Sequence, residues 1–529
     1  MSLNFLGIII TFCTSLAHSK LSNESYNTNH QAFKDGYLFP TADQIGFPGK
    51  ISYGAEPSLI KSPQQPLLSD NYPLNQPSYL IYDTNNTDAS TGSFKPIDYW
   101  GNLSPVKSLK FDAFGIQSTA AIPQNCTLDQ VHLLHRHGAR YPSNGKKLTV
   151  FAQFIKAAQQ NESLKARGLL NFLNHWNYEL GAEVLTPFGR SQMFQLGVAY
   201  RQKYGFLLAK YKSNNNVNKT KDSKKLVFRT TSQDRMYNSA INFAAGFFGI
   251  PAEDQYHQSI LIEEDGFNNT LAAYNSCPKS KSEKNPEAGA TASQAWQSVY
   301  LKTALQRLNS LVSGIKFTIS DVFSMQQLCS YETVAFGDSD FCELFTEEEW
   351  RGYSHAIALE IWYSGSFGNH YSPAIGLGWT EELVARLTKT QPAKATSSIN
   401  ITLNSNPTTF PLDQPIYVDA THDTVISSIF TTLNFTFLAQ YGPLPIDHLP
   451  ESPSYRVEQT TPFGAHLNAQ SMTCNGESFI RFVLNDAVVP LSGLKTCEKN
   501  FKNGLCKTKH FIKGLKDRVH EINYQKICF

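Results

Sequence analysis

The run Gln130-Val-His-Leu-Leu-His-Arg-His-Gly-Ala-Arg-Tyr-Pro142 constrains this chain more than any other stretch. Val131, Leu133 and Leu134 suit a short buried strand, and Gly138 and Pro142 break it at its carboxyl end. Open α/β sheets place their ligands at such ends. Arg136, His137 and Arg140 crowd there, and like charges so close repel one another unless an anion or a carboxylate sits among them. An anion site is expected. A second segment has the same build: the strand-like Pro415 to Ala420 runs through Thr421-His422-Asp423-Thr424 into the helical spacing of Val425, Ile426, Ile429 and Leu433.

At 529 residues the chain exceeds what one hydrophobic core usually serves, so two lobes are expected. A formal charge of +2 gives no support for a nucleic-acid partner, which wants a strongly basic face. The Lys- and Asn-rich stretch from Lys210 to Lys225 reads as a solvated loop. Phe5 to Leu16 is apolar but too short to span a bilayer, and Ala17-His18-Ser19 follows it, so residues 1–19 are expected to be a secretory signal and no membrane span is expected. Cleavage removes Cys13. Cys126, Cys277, Cys329, Cys342, Cys474, Cys497, Cys506 and Cys528 remain, an even set without a Cys-x-x-Cys pair, which points to disulfides in an oxidising compartment rather than to a metal cluster. Asn-x-Ser/Thr occurs at Asn23, Asn85, Asn102, Asn125, Asn161, Asn218, Asn268, Asn400 and Asn434, so N-linked glycans are expected, though not at Asn125 beside a cysteine.

Residues 20–123, rich in Asn, Ser, Tyr and Pro, read as an extended surface arm that could reach a neighbouring subunit. Leu148 to Leu180 has helical spacing. In Leu185-Thr-Pro-Phe-Gly-Arg190 the threonine is a helix N-cap and the proline a first helical residue, with the helix running on through Met193, Leu196 and Tyr200. Val227-Phe-Arg229 is a short strand. Helical patterns follow over Gln294 to Leu311, Thr346 to Trp362 and Thr380 to Leu387, and strands over Phe479 to Leu484 and Ala487 to Leu491.

Arg136-His137-Gly138-Ala139-Arg140-Tyr141-Pro142 resembles the signature of the histidine acid phosphatases, and His422-Asp423 after a strand resembles the family's partner signature. Leu185 to Arg190, Phe341-Cys-Glu-Leu-Phe345, Gly376 to Leu387, Thr461-Pro-Phe-Gly-Ala465 and Phe482 to Leu491 are similar to secreted fungal phytases and yeast acid phosphatases. The likeness runs from about Pro123 to the C-terminus. It implies an α/β fold: a large domain with a central sheet flanked by helices, at 124–147, 222–250 and 395–529, and a smaller, mainly helical inserted domain at 148–221 and 251–394.

By that resemblance His137 is the nucleophile, forming a phosphohistidine, and Asp423 is the proton donor. Arg136, Arg140, Arg229 and His422 hold the phosphate, Arg229 because it follows a strand and precedes Ser232 and Arg235 as in the family's pattern. The residue types suit the chemistry, since guanidinium forks match phosphate oxygens and an imidazole among cations stays unprotonated in acid. Gly138 would let the backbone approach the substrate. No metal or cofactor is required, because the arginines already supply positive charge. The resemblance also implies the disulfides Cys126 to Cys474, Cys277 to Cys528, Cys329 to Cys342 and Cys497 to Cys506. Lys146 and Lys147, just past the motif, could meet further phosphates, so a phytase is the first expectation, a broad-specificity acid phosphatase the alternative, and a non-catalytic phosphate-binding or cell-wall protein a third. His132 and His135 are expected to pack or support. Glu263-Glu264-Asp265 reads as a solvated turn, and Gly337-Asp-Ser339 as a chance likeness to an esterase motif. His466 stands where many relatives have arginine.

Overall fold

The computed structural model describes residues 94–143, 146–214, 225–282, 287–498 and 502–529. The expected signal and residues 20–93 of the expected arm lie outside the described residues. In chain order the elements that matter for the site are β1 (Cys126–Arg136), α1 (Lys146–Gln160), α2 (Pro187–Tyr204), β2 (Leu226–Thr231), α3 (Asp234–Phe248), β3 (Tyr256–Leu261), α4 (Ala288–Tyr300), α5 (Ile319–Phe336), α6 (Glu347–Gly365), α7 (Leu377–Thr388), β4 (Ile416–Thr421), α8 (Asp423–Thr432), β5 (His466–Cys474), β6 (Glu477–Leu484), β7 (Ala487–Val489) and β8 (Cys506–Lys507).

One mixed sheet has the order β8-β6-β5-β1-β4-β2-β3, with β7 on β6. β1, β4, β2 and β3 run parallel, and β5, β6, β7 and β8 pair antiparallel. β1 is thus where the parallel half meets the antiparallel half. Its carboxyl end lies beside that of β4, with Arg136 opposite Thr421. Successive strand side chains face opposite sides. Val131 and Leu133 accordingly join Met193, Leu196, Phe243 and Phe247 in the core under α2 and α3. Leu134 joins the larger core on the other face, with Val425, Ile429, Leu467 and Phe482.

The Thr186 cap forms as expected: its Oγ1 accepts from the N–H of Gly189 at 3.0 Å, with Pro187 opening the helix. This pins the start of α2 against the loop after β1. A Cβ on Gly138 would lie 2.4 Å from the Gly189 carbonyl oxygen, and one on Gly189 would lie 1.9 Å from that of Ala139. Gly138 is therefore needed for this backbone contact. All four expected disulfides are present. Cys126 to Cys474 bridges directly opposed residues of β1 and β5.

The described part of the arm departs from expectation. Ile97, Trp100, Leu103 and Val106 are buried rather than laid on the surface. Val106 donates to Phe463 and Phe463 to Ser104, each at 2.9 Å, which stitches this segment beside the entry to β5. Arg481 of β6 anchors its far end through the carbonyls of Ala120 and Ala121 at 2.9 and 2.7 Å.

Candidate active site

The ends of β1 and β4 bring His137 beside His422 and Asp423. The N–H of His137 donates to the Thr421 carbonyl at 3.3 Å, and the His137 and His422 ring centres are 5.9 Å apart. His137 is 2 % exposed. Its Nδ1 lies 2.8 Å from its neighbour Gly138's carbonyl oxygen, which can only accept. Nδ1 must therefore carry the proton, and Nε2 is left with its lone pair. Burial, then Arg136, Arg235, Arg140 and His422, hold the imidazole well below its ordinary 6.5.

Arg136 donates through Nη1 to the carbonyls of Asn102 and of Thr461, the latter at 3.0 Å, and through Nη2 to Asp423 Oδ2 at 2.8 Å. Arg140 donates to the Tyr141 carbonyl at 2.9 Å, and Arg235 pairs with Glu183 at 2.6 Å. The Nε atoms of these three arginines are buried and have no hydrogen-bond partner among the described residues. A buried donor left unpaired is costly. The positive charge of Arg136, Arg235 and Arg140, gathered around one unprotonated imidazole, makes a receptor for an anion.

Arg229 is not part of this receptor. Its register opposite Asp419 puts it two residues short of the end of β2. There its guanidinium is 4 % exposed and spent on carboxylates, meeting Glu382 at 2.8 and 2.7 Å and Asp419 at 2.7 and 2.9 Å. The arginine beside His137 is instead Arg235, on the first turn of α3. Sequence reading passed over it for the arginine on the strand itself. The signal available was that a residue inside a strand cannot turn its side chain past the strand's end.

Glu263 also corrects an expectation. Its side chain is 1 % exposed and lies 2.9 Å from His422 Nε2, unlike its exposed neighbours Glu264 and Asp265. Thr231 donates to the same carboxylate at 2.5 Å and Tyr274 donates to its other oxygen. Burial would raise this carboxyl, but His422 and these hydrogen bonds hold it below its ordinary value. The fixed carboxylate on Nε2 holds the His422 ring in one orientation beside His137. In Glu263→Gln the inhibition constant of inorganic phosphate is expected to rise about tenfold or more, the effect of losing one charge-assisted hydrogen bond. An unchanged constant would reduce Glu263 to a packing residue.

Asp423 opens α8. Its Oδ1 accepts from the Thr424 N–H at 2.8 Å and its Oδ2 from Arg136 and from Asn102. Burial pushes its carboxyl up, and Arg136, the Asn102 amide, His422 and Arg140 bring it below its ordinary 3.8. His132 stacks on Tyr417 and His135 on Phe243, both buried, and burial lowers them to about 3 and about 4. They pack beneath the site. His466 is buried 3.9 Å from Asp486, itself held by Lys203 at 2.7 Å and Ser108 at 2.6 Å.

The site opens into a cleft of about 600 Å3, lined among others by Arg140, Lys147, Gln297, Tyr331 and Glu360. Lys147 is exposed there, on the first turn of α1, while the Lys146 side chain lies outside the described residues. The profile of the histidine phosphatase superfamily, branch 2, matches residues 127–485. The chain belongs to this family. Phytase A of Aspergillus fumigatus is 33% identical over 432 residues, covering 79% of this chain and 87% of that protein. Phytase A of Aspergillus oryzae is 31% identical over 451 residues, covering 82% and 91%. The crystal structure of the phytase from D. castellii superposes with a TM-score of 0.65 at 27% identity, over 86% of this chain and 92% of that one. As a histidine phosphatase of this branch, the protein is a hydrolase of phosphoric monoesters.

Proposed function

We propose that this histidine phosphatase hydrolyses phosphomonoesters through a phosphohistidine on His137, and that its substrate is phytate, myo-inositol hexakisphosphate. The observation that carries the mechanism is the crowding of Arg136, Arg235 and Arg140 around an imidazole whose Nδ1 is bound to a carbonyl and whose Nε2 is left for attack. With His422 these arginines bind the phosphoryl oxygens and stabilise their charge as the bond to the leaving oxygen lengthens. His137 Nε2 forms the new bond to phosphorus as the ester P–O bond breaks. Asp423 gives its proton to the departing alcohol oxygen. Water then attacks the phosphohistidine, the Asp423 carboxylate takes its proton, and inorganic phosphate leaves.

Both protonation states suit acid. Neutral His137 persists well below pH 6.5 because burial, and then the cations around it, disfavour its charged form. Asp423 must be protonated to act, and a bound phosphate ester, being negative, favours its protonated form. The residues expected at 1–19 as a signal, together with the disulfides, support a place outside the cell or at its wall, and no helix among the described residues is long and apolar enough to cross a membrane.

Phytate is supported by the relatives named phytase, by the size of the cleft and by Arg140 and Lys147 on its lining. Most of the remaining lining comes from α4, α5 and α6, within the inserted segment 251–394 that we read as the helical lobe. One feature favours broad specificity instead: Glu360, on the α6 wall, is a carboxylate where further phosphates would lie. Turnover of phytate against a simple aryl phosphate decides between them. A ratio in favour of phytate is expected; one strongly favouring the aryl ester would overturn the phytase reading.

A further inference from the structure

Asn102 comes from the segment ahead of β1, yet it reaches the catalytic centre. Its Nδ2 donates to Asp423 Oδ2 at 2.9 Å, and its backbone carbonyl accepts from Arg136, which holds the same Oδ2. The segment is firmly seated. Trp100 is buried and its N–H donates to Ser104 Oγ at 3.1 Å, while Pro105 bridges to Phe463. Gly101 takes a left-handed φ of +57° where a Cβ would meet Ile357 of α6 at 2.5 Å, so the chain enters the site along one path only.

We propose that Asn102 is a positioning residue for the proton donor: it holds the Asp423 carboxyl in one orientation and favours its ionised form, so that the segment ahead of β1 is a working part of the active site. The proposal rests on the role given above to Asp423. With Thr424 on Oδ1 and Asn102 and Arg136 on Oδ2, the plane of the carboxyl is fixed from both edges. An amide N–H bonds a carboxylate more strongly than a carboxylic acid, so its donation opposes protonation. Arg136, Arg140 and His422 act in the same sense. Glu360 of α6, Tyr274 after β3 and Tyr455 also face Asp423, and negative charge on any of them acts in the opposite sense. Asn102 is the neutral side-chain donor in this group. Its replacement by leucine or glutamine therefore leaves unaltered the charge that binds phosphate.

The test is the pH dependence of kcat on a simple alkyl phosphate, whose leaving alcohol needs a proton, for the full chain carrying Asn102→Leu, Asn102→Gln or Asn102→Asp. The alkaline limb is expected to move up by about one pH unit in Asn102→Leu, and further in the nearly isosteric Asn102→Asp, where a second carboxylate faces the first. Turnover at the acid optimum should fall more than KM rises, and Asn102→Gln should recover part of the loss. Thermal melting of each variant identifies any that fails to fold, and Asn102→Asp then serves as the informative one. A uniform loss with the limb unmoved in a folded variant overturns the proposal, as does a change confined to KM. Asp423→Asn, run in parallel, separates the two levels. If it keeps full turnover, the acid assignment itself falls. If it loses turnover while the limb of Asn102→Leu matches that of the parent, only the role of Asn102 falls.

Discussion

In the His137→Ala variant, release of inorganic phosphate is expected to fall by at least about four orders of magnitude, the scale seen when a covalent nucleophile is removed. No neighbouring group can take its place. The His422 ring is held through Nε2 by Glu263, and His135 lies stacked on Phe243 beneath the site. The charges of Arg136, Arg235 and Arg140 remain in the variant, so inorganic phosphate should still bind. Loss of turnover with retained phosphate binding, read by single-turnover kinetics and by calorimetric titration, is the expected pair of results. Turnover within tenfold of the parent would refute the phosphohistidine route.

Arg229→Met is expected to act on stability, at a cost of about 3–5 kcal/mol, because it strips one cation from a buried and otherwise balanced group of charges. Arg229 and Arg386 face Asp419 and Glu382, and Trp379, Thr270 and Asn404 complete the hydrogen bonds of the two carboxylates. Burial would raise the Asp419 carboxyl, but Arg229 and Arg386 outweigh it and hold it far below its ordinary 3.8. A depressed carboxylate contributes stability that is complete above its unfolded pKa and is lost only as pH falls through the folded one. Asp419 therefore stays ionised in the acid range where the enzyme is expected to work. Thermal and denaturant unfolding measure the loss. A variant that melts like the parent but binds phosphate weakly would restore Arg229 to the site.

The readable parts of the sequence were those in which local chemistry and local structure coincide. Both strand-to-helix units, around His137 and around His422-Asp423, announce themselves by an apolar strand that ends in cations or in a helix start. Thr186-Pro187 marks a helix by capping alone. The parts that escaped reading depend on contacts distant along the chain. β5 lies inside the sheet between β6 and β1, yet it buries Asn468 and Gln470, whose polarity hides the strand pattern; Gln470 is satisfied by Arg481 at 2.7 Å and Tyr204 at 3.0 Å. Glu263 sits in an acidic run whose other two members face solvent, and only the fold shows that its partner is His422. Asn102 has no local pattern at all, because its partner Asp423 is 321 residues away.

The same Asn102 opens the triplet Asn102-Leu103-Ser104, a substrate for the glycosylation machinery of the secretory route. That machinery attaches sugar to the side-chain amide nitrogen, which in the folded protein is the atom donating to Asp423 beside the mouth of the cleft. On a chain that passed through that route, a sugar on this nitrogen would exclude its hydrogen bond to Asp423. Seating of the Trp100 segment commits the amide to Asp423, so on such a chain the order of folding and modification would decide whether the proton donor keeps this partner.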